Sequence, residues 1–283
     1  MKIECLTTFN HEGLWTYGQK LIDSWATNVD PKIKLTVYTE DCEPAIPQGC
    51  KNVEVLNADL ILTDKARFIE KWKNDPKATG TPPDNIKARR PRDWHKGFKW
   101  DAIRFCHKVY AVFDAYESSD ADWVVWVDGD TFVHSPLSQV QMEALFPASS
   151  WITYVGRGQG SQTWPECGWY GLNKNDKQCH KFIEDFKQMY EDAENGIFKL
   201  EEWHDSYVFG HVLNKHKNYN PRAYDYSASI YVQTAKTGGG GHPLINTELG
   251  KYIDHMKGDR KFSGKSKQKD LMKQRNEAYW NEV

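Results

Sequence analysis

The sequence lacks the hydrophobic segments of a membrane or secreted protein. No apolar run approaches the about 18 residues that indicate a membrane span. The first residues, Met1-Lys2-Ile3-Glu4-Cys5-Leu6, contain too short an apolar region for a signal peptide. No Asn-x-Ser/Thr acceptor for N-glycosylation occurs. We therefore expect a protein without a transmembrane segment that resides in the cytoplasm.

Strong net charge and closely paired cysteines are also missing. The formal net charge is −2 over 283 residues, which favours neither nucleic acid nor an anionic surface as a partner. None of the six cysteines forms a Cys-x-x-Cys pair, so we expect free thiols and neither a disulfide framework nor a zinc site. They are Cys5, Cys42, Cys50, Cys106, Cys167 and Cys179.

One glycine-rich run lacks the ending of a phosphate-binding P-loop. Gly238 to Gly241 are four consecutive glycines, but no Gly-Lys-Ser/Thr follows them. Glycines have no side chains to pack, so we expect this stretch to be a flexible connector or a lid beside a binding site.

Hydrophobic periodicity predicts alternating strands and helices. Strands are expected at 2–9, 33–38, 53–56, 123–127, 151–155 and 167–172, with a strand-like region at 219–232. Helices are expected at 14–25, 59–73, 96–116, 135–145, 175–193, 203–216 and 265–280, and a long loop at 74–94. This alternation predicts an α/β protein, a Rossmann-like three-layer α/β/α sandwich with a mixed, mostly parallel sheet.

An unbroken apolar run ends in two carboxylates. Residues 123–127 are typical of a buried strand, and Asp128 and Asp130 follow with only Gly129 between them. Open α/β sheets bind ligands outside the carboxyl ends of their strands, and glycine lets the chain turn so that both carboxylates face one point. Hard oxygen ligands suit Mn²⁺, Mg²⁺ or Ca²⁺. The run predicts a divalent metal site for a phosphate-bearing substrate, with a plain Asp-Gly turn as the alternative.

A second signal lies about 125 residues downstream, in the spacing His255-x-x-Gly258-x-x-Lys261. Histidine can complete a metal site with two carboxylates, glycine lets the backbone approach a phosphate, and lysine supplies a positive charge. Alone, His255 is more simply interpreted as a surface histidine in a lysine-rich tail.

The two signals together resemble the GT-A glycosyltransferases, and among these glycosyltransferase family 8, the group of glycogenin and the bacterial galactosyltransferases. The resemblance implies one GT-A domain over 1–283, with a nucleotide-sugar-binding half at 1–134 and an acceptor half at 135–283. It implies that Asp128, Asp130 and His255 bind Mn²⁺, or Mg²⁺, on the donor diphosphate. It also implies that Lys261, after Gly258, contacts the phosphates. The family usually continues with Pro-Trp, where this chain has Phe262-Ser263.

The resemblance also implies a nucleoside site at the end of the first strand and a basic donor contact in the helix before Asp128. The nucleoside site maps onto Thr7, Thr8, Phe9 and Asn10, although Thr8 or Asn10 can equally cap a helix. The donor contact maps onto Arg104 or Lys108. Either residue can instead lie on a solvated helix face, and this alternative applies more to Lys108 than to Arg104.

Asp205 lies at the start of the helix predicted at 203–216, where it can simply be a cap. The resemblance alternatively implies that Asp205 is a carboxylate that touches the sugar or the acceptor hydroxyls. The expected reaction is transfer of a sugar from a UDP-linked donor to a glycan, lipid or protein hydroxyl, with retention. Inversion with Asp205 as general base is one alternative.

Two other classes stay open. A phosphatase resembling the haloacid dehalogenases would use Asp128 as nucleophile in Asp-x-Asp-x-Thr, but here Phe132 occupies the fifth position and Thr131 falls one residue early. A non-catalytic carbohydrate-binding protein would suit the 13% content of aromatic residues.

Overall fold

The computed structural model describes residues 1–90, 96–158, 164–230 and 242–281. The strands are β1 (Ile3–Asn10), β2 (Lys34–Glu40), β3 (Val53–Asn57), β4 (Trp123–Val127), β5 (Thr131–Val133), β6 (Ile152–Val155), β7 (Glu166–Asn173), β8 (Ala223–Asp225) and β9 (Ile253–His255). The α-helices are α1 (His11–Gly13), α2 (Gln19–Asn28), α3 (Ala58–Ile61), α4 (Thr63–Trp72), α5 (Asp84–Arg89), α6 (Ala102–Ser118), α7 (Gln139–Ala144), α8 (Lys177–Glu191), α9 (Asp205–Tyr219), α10 (Arg260–Ser263) and α11 (Ala278–Asn281).

The main sheet has the strand order β3-β2-β1-β4-β7-β6-β8. β3, β2, β1 and β4 pair in parallel, β7 runs antiparallel to both of its neighbours, and β6 and β8 are parallel to each other. The predicted mixed, mostly parallel sheet is therefore confirmed. The carboxyl ends of β1, β2 and β4 meet at one edge, where such sheets place ligands.

Two hydrophobic clusters cover the two faces of this sheet. One contains side chains of α4, α6, α8 and α9, and the other contains side chains of α2 and α7. The central strand β4 contributes to both, because successive side chains on a strand point to opposite faces. Val124 and Trp126 lie in the first cluster, whereas Trp123, Val125 and Val127 lie in the second. The three-layer arrangement is thus present.

A two-stranded antiparallel ladder outside the main sheet joins distant parts of the chain. β5 pairs with β9, with Thr131 opposite His255 and Val133 opposite Ile253. Asp254, between these two β9 residues, accepts hydrogen bonds from Ser266 and from the hydroxyl of Tyr279. These contacts fix the C-terminal part of the described chain against the end of β4.

Several sequence expectations are wrong in detail. Residues 265–280 are not one charged helix but a 3₁₀ turn at Gln268–Asp270 and the short α11, because buried Asp270 binds Arg260 and the backbone of Lys267. The loop expected at 74–94 contains a 3₁₀ turn, Pro76–Ala78, and α5.

The region 219–232 contains less strand than expected, and the helix expected at 59–73 is interrupted. Only β8 is a strand in the former, and residues 231 and 232 lie outside the described ranges. The helix expected at 59–73 is split at Leu62 into α3 and α4. The glycine run 238–241 also lies outside the described residues. All six cysteines are free, as expected, and in the described ranges no helix has the length and apolar character needed to cross a membrane.

Candidate metal centre and donor cleft

Asp128 and Asp130 lie in a tight turn that directly follows β4. The amide of Asp128 donates to the carbonyl of Gly168 at 2.9 Å, and the amide of Thr131 donates to the carbonyl of Asp128 at 3.0 Å. Little space surrounds the intervening glycine: a Cβ on Gly129 would lie 3.0 Å from the Tyr17 ring and 3.3 Å from the carbonyl of Thr8. The backbone φ of Gly129 is not positive, so close packing, and not a left-handed backbone conformation, favours glycine at this position.

His255 reaches the two aspartates through the ladder of β5 and β9. The amide of Met256 donates to the carbonyl of Asp130 at 2.8 Å, which locks the two segments together. The imidazole is fully buried and occupies space left by Gly168, where a Cβ would lie 2.6 Å from His255 Nδ1. The alternative of a surface histidine is therefore wrong.

The three side chains converge on one point. Their potential ligand atoms lie within 4.8 Å of one another. His255 Nε2 is 3.0 Å from Asp130 Oδ1 and 3.3 Å from Asp128 Oδ2, yet neither ring nitrogen makes a hydrogen bond of acceptable geometry with a described residue. Two hard carboxylates and one imidazole fit a divalent ion such as Mn²⁺ or Mg²⁺.

The electrostatics keep both carboxylates ionised. Burial raises the pKa of Asp130, but His255 and Lys261 outweigh it and lower that pKa overall. Burial conversely lowers the pKa of His255, while Asp130 and Asp128 raise it to about 10. In the absence of metal, the imidazolium thus takes the place of a cation between the aspartates.

Lys108, which the sequence analysis ranked behind Arg104 as a donor contact, is buried at the centre of the site. Its Nζ lies 2.9 Å from Asp128 Oδ1 and 2.8 Å from Asp205 Oδ2, and it donates to the carbonyl of Cys167 at 2.5 Å. Burial lowers the pKa of Lys108, but the two carboxylates raise it well above its usual value. The interpretation that Lys108 lies on a solvated helix face is therefore wrong. Arg104, in contrast, is exposed and lines the cleft.

Asp205 is the first residue of α9 and is 7% exposed. It lies behind Lys108 and is not among the residues that line the cleft in front of the aspartates. The residue at the N-cap position of α9 is His204, whose side chain makes no capping hydrogen bond. Asp205 therefore contacts the site through Lys108.

A cleft of about 740 Å³ opens in front of the aspartates. It brings together most of the residues that the sequence analysis proposed: Thr8, Phe9, Asn10, Arg104, Asp128, Asp130, Gly258 and Lys261. Thr7 does not line it, and its side chain is fully buried. Asn10 caps α1 by accepting from the amide of Gly13, as the alternative interpretation held.

The segment after His255 places a lysine over the aspartates. Gly258 has φ +66°, a left-handed turn that glycine adopts without strain. The turn returns the chain so that Lys261 Nζ lies 3.1 Å from Asp130 Oδ2 and 4.7 Å from the centre of the Tyr17 ring. The expected proximity of Lys261 to the metal site is observed.

Sequence reasoning missed a polar group at the end of β2. The carboxylate of Glu40 accepts from the Thr8 hydroxyl at 2.7 Å and lies 2.5 Å from His107 Nδ1, and all three residues line the cleft. The position of Glu40 at the end of a parallel strand next to β1 was the only available signal.

No protein-family model and no curated protein matches this chain. Several solved structures are similar to it. The glycosyltransferase GlyE of Streptococcus pneumoniae shares 8% identity at a TM-score of 0.42, over 78% of this chain and 44% of its own. The bifunctional glycosyltransferase WbbM shares 11% identity at a TM-score of 0.43, over 79% of this chain and 38% of its own. The galactosyltransferase LgtC, in complex with donor and acceptor sugar analogues, shares 12% identity at a TM-score of 0.42, over 78% of this chain and 72% of its own. This chain thus spans less than half the length of the first two.

Proposed function

We propose that this protein is a metal-dependent glycosyltransferase that moves a sugar from a UDP-linked donor to a hydroxyl of a glycan, lipid or protein. The observation that carries the proposal is the convergence of Asp128, Asp130 and His255 on one point beside a cleft of about 740 Å³, which the two aspartates line and His255 adjoins from behind. That volume falls within the roughly 300–1,000 Å³ of small-ligand sites. Lys261 lines the same cleft, so carboxylates for a metal and a cation for phosphate face one space.

The proposed chemistry is stabilisation of the leaving group. A bound Mn²⁺ or Mg²⁺ would supply positive charge to the diphosphate as the sugar departs. Asp128, Asp130 and His255 would hold that ion, while Lys261 places a second positive charge beside it. Arg104, which is exposed and lines the cleft, would contact the donor. Loss of one such preorganised contact typically lowers the rate by about 100- to 1000-fold.

The surroundings of Asp205 favour retention over inversion. A general base must lie within hydrogen-bond reach of the acceptor hydroxyl. Asp205 is buried, does not line the cleft, and has Lys108 Nζ 2.8 Å from its Oδ2. In the retaining reaction that we propose, the donor phosphate accepts the acceptor's proton and Asp205 keeps Lys108 in place.

The contacts of Asp128 favour a metal ligand over a phosphatase nucleophile. Its Oδ1 accepts hydrogen bonds from Lys108 Nζ at 2.9 Å and from the indole of Trp126 at 2.7 Å. Its Oδ2 lies 3.3 Å from His255 Nε2. Both oxygens are oriented by neighbours, which suits coordination and hinders attack on phosphorus.

The test is a panel of nucleotide sugars incubated with the protein and Mn²⁺, with release of the nucleotide diphosphate as readout. We expect turnover of at least one donor, loss on chelation, recovery when Mn²⁺ is restored, and a fall of about 100- to 1000-fold in Asp130→Asn. The matched control is Asp23→Asn, an exposed aspartate on α2.

Three results would contradict the proposal. Turnover that is indifferent to chelation and to Asp130→Asn would remove the metal from the reaction. A covalent aspartyl-phosphate on Asp128 would identify a phosphatase. Glycan binding without turnover of any donor would identify a carbohydrate-binding protein.

A further inference from the structure

The outer nitrogen of His255 faces a buried glutamate. His255 Nε2 points to the two aspartates, while Nδ1 lies 4.0 Å from Glu166 Oε1 and has no hydrogen-bond partner among the described residues. Glu166, the first residue of β7, is 2% exposed. The imidazole therefore lies between the proposed metal position and a carboxylate.

A histidine that binds a metal through one nitrogen carries its proton on the other. A carboxylate that accepts this proton fixes the tautomer and the orientation of the ring, and makes the imidazole a stronger ligand. The 4.0 Å separation exceeds a hydrogen bond. No other described residue accepts a hydrogen bond from Nδ1, so Glu166 is the carboxylate available to it once the two groups approach each other.

We propose that Glu166 is a positioning residue for the metal site, which accepts the Nδ1 proton of His255 and directs Nε2 toward the ion. This inference rests on the metal centre of the proposed function. Glu166 does not touch the substrate or the ion in this assignment, and it acts only through His255.

The geometry of β7 supports this role. Glu166 and Gly168 are two residues apart, so they lie on the same face of the strand. Gly168 leaves the space that the His255 ring fills, and Glu166 provides the carboxylate at its outer edge. One strand thus supplies both the space and the acceptor.

Two cations hold Glu166 in this position. Lys257 Nζ lies 2.9 and 3.1 Å from its two carboxylate oxygens, and Arg157 lies 3.3 Å from Oε2. Lys257 follows His255 by two residues, so the loop that carries the histidine also anchors its acceptor. The negative charge of Glu166 is therefore balanced by two cations other than His255.

His242 provides the competing explanation. Its ring packs edge-to-face against His255 with centroids 4.7 Å apart, it is 4% exposed, and its nitrogens also lack partners among the described residues. A ring packed in this way restricts the tilt of the imidazole without accepting its proton. A variant that keeps the ring and removes the nitrogens separates the two roles.

The experiment measures the dissociation constant for Mn²⁺ alone, from the electron paramagnetic resonance signal of the free ion. We expect Glu166→Gln to weaken Mn²⁺ binding by about 10- to 100-fold, as is typical when the partner of a metal-bound histidine is lost. His242→Phe should bind as the wild type does. Glu4→Gln is the matched control, since Glu4 is another buried and hydrogen-bonded glutamate but lies at the amino end of β1.

Glu166→Asp guards against a folding defect, because it keeps a charge for Lys257 and Arg157 while withdrawing the carboxylate from His255 by one methylene. We expect weakened Mn²⁺ binding and an altered visible absorption spectrum of the Co²⁺-loaded protein, which reports on the ligands. Wild-type affinity in both Glu166 variants would overturn the inference and leave the proposed function intact, as would weakening by His242→Phe alone. A wild-type protein that binds no Mn²⁺ would overturn both.

Discussion

Replacement of Lys108 by methionine tests whether the centre of the site is held together by one buried cation. The ammonium lies 2.9 Å from Asp128 and 2.8 Å from Asp205, and it also donates to the carbonyl of Cys167. Methionine keeps an unbranched apolar stem of similar length and removes only the charge and its donors. The variant therefore isolates the electrostatic contribution.

The expected loss is large because Lys108 is about nine-tenths buried. Removing one partner of a buried ion pair typically costs about 3–5 kcal/mol, since the remaining charge is left without compensation. We expect a decrease of that size in the free energy of unfolding. Adding Asp205→Asn should restore part of it, because Lys108 is the one cation paired with Asp205 among the described residues and the variant removes the charge left behind. Exposed Lys181 on α8, changed to methionine, should shift stability by no more than about 0.5 kcal/mol.

The same variant should respond more strongly to metal. Without Lys108, the negative charge of Asp128 is balanced only by His255 and by a bound ion. A ligand at 100 times its dissociation constant stabilises the folded state by about 2.7 kcal/mol. At one fixed Mn²⁺ concentration, we expect a larger gain in Lys108→Met than in the wild type.

The assay is urea unfolding followed by tryptophan fluorescence, with and without Mn²⁺. A loss below about 1 kcal/mol in Lys108→Met, the level of an exposed ion pair, would refute the reasoning. So would a double variant with Asp205→Asn that is no more stable than Lys108→Met alone.

Further predictions concern three positions. Gly168→Ala should weaken Mn²⁺ binding by about 10- to 100-fold in a metal titration, because the new methyl displaces the His255 ring. Gly258→Ala should lower the free energy of unfolding in urea by about 1–2 kcal/mol through its φ of +66°, since no atom lies within 4 Å of the new methyl. Burial raises the pKa of Glu4, but hydrogen bonds from Ser119 and Thr36 and the charge of Lys34 lower it below its ordinary value of 4.5. The ionised Glu4 carboxylate therefore stabilises the folded state fully above pH 4.5, and this contribution is lost as pH falls through the lowered pKa. In urea titrations below about pH 4.5, the difference in unfolding free energy between wild type and Glu4→Gln should therefore narrow.

The core of the sheet was predictable because burial leaves a signature in composition. Residues 123–127 are all apolar, and all five are buried between two layers of helices. The prediction of one helix at 265–280 was wrong, because the high charge content of this segment is also typical of an exposed helix. There, Asp270 instead binds Arg260 and the backbone of Lys267, and such individual polar contacts leave no periodic pattern in the sequence.

The proximity of Asp128, Asp130 and His255 was predictable from motif spacing, but the part played by Lys108 was not recognised. Arg104 and Lys108 are four residues apart on α6 and so occupy neighbouring turns of one face. The available signal was the position of Lys108 relative to apolar residues three, four and seven places later. These are Ala111, Val112 and Ala115, and all are buried. A lysine in such a stripe is paired when it is buried, and its partners come from strands that the helix sequence does not reveal.

Two lysines contact the aspartates, and their environments assign them different roles. The Lys108 side chain is 11% exposed and bonds to Asp128 Oδ1, Asp205 and a carbonyl, so it cannot leave without exposing buried charges. The Lys261 side chain is 27% exposed, follows the open turn at Gly258, and contacts Asp130 Oδ2 and the Tyr17 ring. A cation that arrives at Asp130 competes with Lys261 and not with Lys108. Under the proposed function, we therefore expect Lys261 to turn to a phosphate of the donor when a metal ion binds, and Lys108 to keep Asp128 oriented.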